Sequence, residues 1–264
     1  MRAVFAYKIL DHFWKPKDSF FWDTARLAVK QASKFYLTEL YADKRTYEML
    51  QQEGIYFDYF VDCSDEFHRI TEHNYGLAKM FAMLKQTRPY ILLDLDTIIF
   101  SNISSDKSIL YGHKEINLKL SKPPKDVQSD LDYIVEYYEN SFNRFLTKKN
   151  IKSFTPDWNT FPSNCFLLVN SPLLVCELVK KILNEIGRDL FIAPPPYTVQ
   201  FYEQFLLYNY LLESQTDMDF IYETAPVFKE EVTSLASLYN YKYIHLDTYD
   251  REIITKNIIK KLVD

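Results

Sequence analysis

The feature that most constrains the fold of this chain is an alternation of strand and helix signals over its first hundred residues. Four short apolar runs predict strands: Ala3–Ile9, Thr38–Tyr41, Phe57–Val61 and Tyr90–Leu95. Three segments between them have helical spacing of apolar residues: Asp23–Tyr36, Lys44–Glu53 and Tyr75–Gln86. Repeated strand–helix units form a mainly parallel central sheet flanked by helices, so we expect an α/β, Rossmann-like fold.

The alternation breaks after Ser101 and then resumes. The later segments predict a long helix over Val127–Lys149, a strand over Cys165–Val169 and two helices, Pro172–Ile186 and Thr198–Glu213. A strand over Tyr241–Leu246 and an amphipathic terminal helix over Arg251–Val263 follow. The length of 264 residues suits one domain. We expect residues 1–100 to form a nucleotide-binding half and residues 101–264 an acceptor-side half, with a helical insertion at about 125–150.

Glycine is scarce, and this excludes two common types of nucleotide site. The four glycines are Gly54, Gly76, Gly112 and Gly187, and no two have the spacing of a dinucleotide fingerprint or a Walker loop. The chain carries 31 basic and 36 acidic side chains, a net charge of −5. This balance argues against a nucleic-acid partner, because nucleic-acid binders usually have an excess of Lys and Arg.

The cysteines and the apolar runs indicate the compartment. Cys63, Cys165 and Cys176 make no paired motif, which is typical of reduced thiols in a cytoplasmic protein. No apolar run reaches the roughly 20 residues of a membrane span. Lys256 and Lys260 on the predicted terminal helix leave peripheral contact with the inner membrane surface as an alternative to core packing.

Asp94 and Asp96 lie at the end of the predicted strand Tyr90–Leu95, after four successive apolar residues. Side chains at positions i and i+2 of a strand point to the same face, so the two carboxylates are expected side by side where the strand leaves the sheet. Two adjacent like charges are costly unless a cation lies between them, and hard oxygen ligands suit Mg²⁺ or Mn²⁺. Such an ion can bridge a diphosphate, which predicts a metal-dependent nucleotide-diphosphate site.

The segment Asp94-Leu95-Asp96-Thr97-Ile98-Ile99 resembles the DxD motif of GT-A glycosyltransferases. The similarity is to the retaining group that includes glycogenin and the bacterial lipopolysaccharide galactosyltransferases. The chain also offers Ser163-Asn164-Cys165-Phe166-Leu167-Leu168-Val169-Asn170, similar to a later strand of that family, with Cys165 in place of a glycine. The family's Asp-Gln pair corresponds to Glu203-Gln204, and its late metal-binding histidine to His245.

The resemblance implies a GT-A fold and a transferase that moves a sugar from a UDP-sugar to an acceptor hydroxyl, with retention favoured over inversion. The acceptor would be a glycan, a lipid-linked carrier or a protein. By the same resemblance Asp94, Asp96 and His245 would bind Mn²⁺ or Mg²⁺. Glu203 and Gln204 would be catalytic. The donor-binding residues would be Asp94 again and Tyr7, Lys8, Asp43, Lys79 and Asn164.

Two other interpretations stay open on the sequence alone. A haloacid-dehalogenase-type phosphatase also has a strand ending in DxD, with its first aspartate as nucleophile. Ile98 stands where that motif usually has Thr or Val, and none of the four glycines is followed by the Asp of its later acidic motif. The second alternative is a GT-A-like binding domain without turnover, which the departures around Cys165 and His245 leave open.

Overall fold

The computed structural model describes residues 1–10, 19–71, 74–115, 160–186, 200–223 and 241–245. The strands in these ranges are β1 (Arg2–Ala6), β2 (Leu37–Ala42), β3 (Tyr59–Asp62), β4 (Tyr90–Leu93), β5 (Thr97–Ile99), β6 (Ile109–Glu115), β7 (Phe161–Pro162), β8 (Phe166–Val169), β9 (Met218–Tyr222) and β10 (Tyr243–His245). The helices are α1 (Ser19–Ala32), α2 (Lys44–Gln52), α3 (Ser64–Phe67), α4 (Leu77–Leu84), α5 (Pro172–Ile186) and α6 (Leu207–Glu213), with a π-helical segment, Gln200–Leu206, directly before α6.

The first four strands of the central sheet are parallel. Their order is β3–β2–β1–β4, so successive strand–helix units build outward from β1 on both sides. Strand β8 then pairs antiparallel with β4, with Leu93 opposite Phe166, and β6 pairs antiparallel with β8. Two more strands pair with β6: β9 in the parallel direction and β7 in the antiparallel direction. They complete the eight-stranded sheet. The α/β fold with a mainly parallel central sheet is confirmed.

Strand β4 is buried on both faces. Tyr90 and Leu92 belong to the hydrophobic cluster beneath α4, α5 and α6, whereas Ile91 and Leu93 belong to a second cluster on the side of α1. All four side chains are almost fully buried. A strand covered on both faces has no polar alternation, which explains the four successive apolar residues of Tyr90–Leu93.

Helix α2 shows how local sequence fixes element boundaries. Asp43 caps its start, since its carboxylate accepts a hydrogen bond of 2.8 Å from the backbone N–H of Thr46. The helix ends before Gly54, whose φ of 73° is the left-handed conformation that glycine adopts without a Cβ penalty. Both boundaries lie within one residue of the prediction from sequence.

A separate two-stranded ladder joins distant parts of the chain. Strand β5 follows β4 after a short turn and pairs antiparallel with β10, which places Thr97 opposite His245. The sequence predicted a strand at Tyr241–Leu246 but not its partner at Thr97–Ile99. The ladder therefore brings the predicted late histidine to the turn that contains the acidic pair.

Several bounds differ from the predictions. Strand β1 ends at Ala6, not Ile9, and β4 ends at Leu93, not Leu95. The helix predicted over Thr198–Glu213 is a π-helical segment followed by α6. The long helix predicted over Val127–Lys149 and the terminal helix over Arg251–Val263 lie outside the described residues. Among the helices in the described ranges, none combines the length and apolarity needed to cross a bilayer.

Candidate active site

The acidic pair lies in the turn between β4 and β5. The backbone N–H of Asp94 donates to the carbonyl of Cys165 in a 3.0 Å bond that continues the β4–β8 ladder. The backbone N–H of Thr97 donates to the carbonyl of Asp94 at 3.0 Å and closes the turn. The two carboxylates are thus neighbours because the chain turns, whereas the sequence argument placed them on one face of a continuing strand.

His245 completes a group of three potential ligands. Its Nε2 atom is 3.3 Å from Oδ1 of Asp96. One donor atom from each of Asp94, Asp96 and His245 lies within 4.8 Å of the others. The Asp96 and His245 side chains are 28% and 22% exposed, so this group opens to solvent at the carboxyl end of β4. Two carboxylates and an imidazole are donors that fit Mn²⁺ or Mg²⁺.

Asp96 and His245 change each other's ionisation. Burial raises the pKa of Asp96, but the positive charge of His245 and its hydrogen bond outweigh this and hold that pKa below its usual value. Burial also opposes the charged form of His245. The negative charge of Asp96 and its hydrogen bond to the imidazole nevertheless hold the pKa of His245 well above its ordinary value. The imidazole is thus held in its charged form, and it would release that proton on binding a metal ion, because a histidine ligand is neutral.

Lys79 links the acidic pair to the second half of the chain. It projects from α4, and its Nζ lies 2.7 Å from Oδ1 of Asp94 and 3.6 Å from Oε1 of Glu203. It also donates a 3.3 Å hydrogen bond to the carbonyl of Asn164. Burial would lower the pKa of Lys79, but the two carboxylates outweigh burial and raise it. Lys79 is therefore a permanent cation between two carboxylates.

Three buried polar residues of the later half of the chain were predicted to belong to the site: Glu203, Gln204 and Asn164. Glu203 and Gln204 lie on the π-helical segment and are buried, and Asn164 is fully buried. The Asn164 amide donates to the backbone carbonyl of Glu203. Oε1 of Gln204 is buried without a hydrogen-bond partner among the described residues. The structure thus brings Glu203 and Asn164 to the acidic pair through Lys79, and within the described part of the chain it shows no contact of Gln204 with that pair.

Three of the six residues predicted to bind the donor, Tyr7, Lys8 and Asp43, each have a structural contact. The Lys8 ammonium donates to the carbonyls of Phe67 and Ile70, with a distance of 2.8 Å to the latter. Burial lowers the pKa of Lys8. Asp43 caps α2, and the Tyr7 ring packs on Phe21 with 5.8 Å between centroids. All three follow β1 or β2, and their contact with a nucleotide stays a prediction.

The sequence argument missed how His245 reaches its place. Tyr243 and Gly112 hold β10 against the main sheet, and neither residue was singled out from the sequence. The signal available was the β-branched run Thr97–Ile99, which is typical of a strand, and the apolar run that begins at Ile109. Neither pattern identifies a partner strand more than a hundred residues away.

Comparison with known proteins gives structural matches and no sequence family. No family model matches the chain, and no curated protein matches it. Mouse xyloside xylosyltransferase 1, in its apo form, is 11% identical with a TM-score of 0.45, over 95% of this chain and 98% of that one. The inositol-1-phosphate CTP transferase from T. maritima is 8% identical with a TM-score of 0.45, over 99% of this chain and 94% of that one.

Proposed function

We propose that this chain is a metal-dependent glycosyltransferase that moves a sugar from a nucleotide diphosphate, UDP in the first instance, to an acceptor hydroxyl. The observation that carries the proposal is the convergence of Asp94, Asp96 and His245 donor atoms within 4.8 Å at the carboxyl end of β4. In α/β sheets, ligands bind outside this edge. Lys79 and Glu203 lie directly behind the acidic pair, so charged groups are present for both a diphosphate and a sugar.

Asp96 and His245 are the side chains proposed to hold Mn²⁺ or Mg²⁺, with Asp94 in support. A bound divalent ion supplies positive charge against the diphosphate as it leaves. Asp94 is less available than Asp96 because one of its oxygens is already engaged by Lys79 at 2.7 Å. The protein thus offers an incomplete set of ligands, which the oxygens of a diphosphate would complete.

Glu203 is proposed to lie beneath the donor sugar and to stabilise positive charge that develops at its anomeric carbon. Its side chain is 4% exposed and close to Lys79, which does not suit a base that takes a proton from a solvent-borne acceptor. A carboxylate in this position favours transfer with retention of configuration at the anomeric carbon. The bond from the anomeric carbon to the diphosphate breaks with its electrons on the phosphate oxygen, the acceptor oxygen bonds to that carbon, and the acceptor's proton leaves on the departing phosphate.

Donor and acceptor classes follow from the same arrangement. Tyr7, Lys8 and Asp43 follow β1 and β2 beside the metal-binding edge, and we propose that they contact the base and ribose. Asn164 and Lys79 are proposed to face the donor's sugar and phosphates. The acceptor is any molecule that offers a hydroxyl, and a glycan, a lipid-linked carrier and a protein share that chemistry.

Calorimetric titration of UDP with and without Mn²⁺ tests this function. Metal and nucleotide should strengthen each other's binding by the same factor, because linkage is reciprocal. Asp96→Ala should abolish the coupling and leave the fold intact, because Asp94 keeps its 2.7 Å ion pair with Lys79 and His245 can lose its proton once Asp96 is gone. Asp217→Ala is the matched control, because Asp217 pairs at 3.0 Å with Lys107 on the surface.

Equal UDP affinity in wild type and Asp96→Ala, with and without Mn²⁺, would overturn the proposal. The phosphatase alternative predicts a different result. A phosphate ester would leave a trapped aspartyl-phosphate at Asp94, and the protein would show no preference for a uridine base. Mass spectrometry of the chain after brief incubation with a phosphate ester separates the two functions.

A further inference from the structure

The strand that carries His245 has little support from its own ladder. Strand β10 has three residues and pairs with β5, which also has three. Short two-stranded ribbons are marginally stable in water. A metal ligand has to be held within a fraction of an ångström, so a stronger contact is required to hold His245 beside Asp96.

That contact is the side chain of Tyr243, two residues before His245. Its ring is fully buried and stacks on Phe166 of β8 with 5.3 Å between centroids. A tilted contact with Tyr222 of β9 has a centroid distance of 5.4 Å. The Tyr243 hydroxyl lies 2.6 Å from Nδ1 of His113 on β6, within hydrogen-bond distance. One side chain of β10 therefore contacts three strands of the main sheet.

Gly112 creates the space for this ring. A Cβ atom at position 112 would lie 2.5 Å from the Tyr243 hydroxyl oxygen and 3.0 Å from the ring carbon that bears it. Gly112 lies within strand β6 and lacks the left-handed φ that is found at Gly54. Glycine at position 112 therefore makes room for the Tyr243 ring, and it is not required by the backbone conformation. We call Gly112, His113, Phe166 and Tyr222 the Tyr243 socket.

We infer that the Tyr243 socket positions the imidazole of His245 as a metal ligand, so that Tyr243 and Gly112 are positioning residues for the site. The inference rests on the proposed function. The Tyr243 ring fixes the distance of β10 from β6 and β8, and the β5–β10 register places His245 opposite Thr97, beside Asp96. Displacement of the ring displaces the imidazole and leaves Asp94 and Asp96 where they are.

Gly112→Ala tests the inference, because its methyl group would force the Tyr243 ring outward. Pulsed electron paramagnetic resonance of Mn²⁺ with UDP detects a coordinated imidazole through its nitrogen coupling. We expect Gly112→Ala to lose this coupling and to bind Mn²⁺ about tenfold more weakly. His245→Ala should lose the coupling as well, which assigns the signal. Turnover of a UDP-sugar serves only as a second readout.

The double variant Gly112→Ala/Tyr243→Phe gives a sharper test than either single change. Removal of the hydroxyl leaves the new methyl 3.0 Å from the ring carbon and 3.1 Å from Cβ of Phe166, and each of these contacts requires a shift of only a few tenths of an ångström. We expect the nitrogen coupling to return and the Mn²⁺ affinity to recover to that of Tyr243→Phe alone. Tyr111→Phe is the matched control, since Tyr111 precedes Gly112 on β6 but packs in the opposite hydrophobic cluster.

Retention of wild-type nitrogen coupling and affinity in Gly112→Ala would overturn this inference alone. Failure of the wild type to bind Mn²⁺ in the presence of UDP would overturn the proposed function and the inference together. If Gly112→Ala does not fold, Tyr243→Phe takes its place and should weaken Mn²⁺ binding at least about threefold against Tyr111→Phe. Equal affinities in those two variants would overturn the inference.

Discussion

At the scale of single residues, the charge of Glu203 is the feature most open to test. Glu203→Gln keeps the volume of the side chain and removes its negative charge. We expect turnover of a UDP-sugar to fall at least about a hundredfold, or about 2.7 kcal/mol of transition-state stabilisation. Folding should change little, because Lys79 keeps its 2.7 Å contact with Asp94. Steady-state kinetics and urea unfolding measure the two effects.

The control for this substitution is Glu223→Gln, since Glu223 is 79% exposed and pairs with Lys114 at the surface. It should leave turnover and stability as they are. A Glu203→Gln variant with turnover within about threefold of wild type has lost less than about 1 kcal/mol, and the catalytic role of Glu203 would then be wrong.

Some residues of the candidate site can be predicted from the sequence and others cannot. Asp94 and Asp96 stand out because two carboxylates follow an apolar strand, and that pattern is local. The resemblance pointed to Lys79, but its place between Asp94 and Glu203 depends on how α4 packs against the π-helical segment. Packing of this kind is a tertiary property, and no spacing within the chain encodes it.

At the scale of elements, the contact between β6 and β10 makes stability depend on pH. Burial lowers the pKa of His113 to about 4, and the groups that face it are Tyr243, Cys165 and His245. The unfolded chain takes up a proton near pH 6.5, whereas the folded chain does so only near pH 4. This histidine therefore stabilises the fold above about pH 6.5, and its contribution falls by up to about 1.4 kcal/mol per pH unit between the two values.

Comparison of wild type with His113→Gln isolates this effect. We expect the free energy of unfolding of the wild type to exceed that of the variant at pH 7, and the two curves to converge as pH falls towards 4. His68→Gln is the control, because His68 lies exposed in the turn after α3. If the free energy of unfolding changes with pH in the same way for wild type and His113→Gln, then the fold does not hold His113 in its neutral form.

The elements themselves were predicted well where the chain repeats and poorly where it does not. Local periodicity predicted β1 to β4 with α1, α2 and α4, because each unit carries its own apolar face and its own boundary. Strands β6 and β9 were missed, since their apolar patterns become strands only by pairing with each other, with Ile109 opposite Met218. The π-helical segment was predicted as an ordinary helix because its apolar residues have helical spacing.

At the scale of the whole molecule, one continuous sheet joins both halves of the chain. Strand β8 pairs with β4 on one side and β6 on the other, so the late strands extend the sheet that the early strands begin. We therefore expect thermal unfolding as a single transition, with equal calorimetric and van't Hoff enthalpies. Leu40→Ala in β2 and Leu110→Ala in β6 each remove a buried side chain from opposite halves.

Both substitutions should cost about 2–5 kcal/mol and lower the temperature of the same transition. Tyr56→Ala is a suitable control, because Tyr56 is 67% exposed and its loss should move the transition little. Two separate transitions, each sensitive to one of the leucine substitutions, would show that the two halves unfold independently and that the chain has two domains.

The β5–β10 ladder also determines when, during synthesis, the site can form. All eight strands of the main sheet have been made once the ribosome has added Tyr222, but the imidazole beside Asp96 is added later, at residue 245. A chain that stops between these points contains all eight strands of the main sheet and both carboxylates, but it lacks the third proposed ligand. The order of translation thus delays the proposed metal site until all strands of the sheet have been made, and premature termination before His245 would leave the sheet without this imidazole.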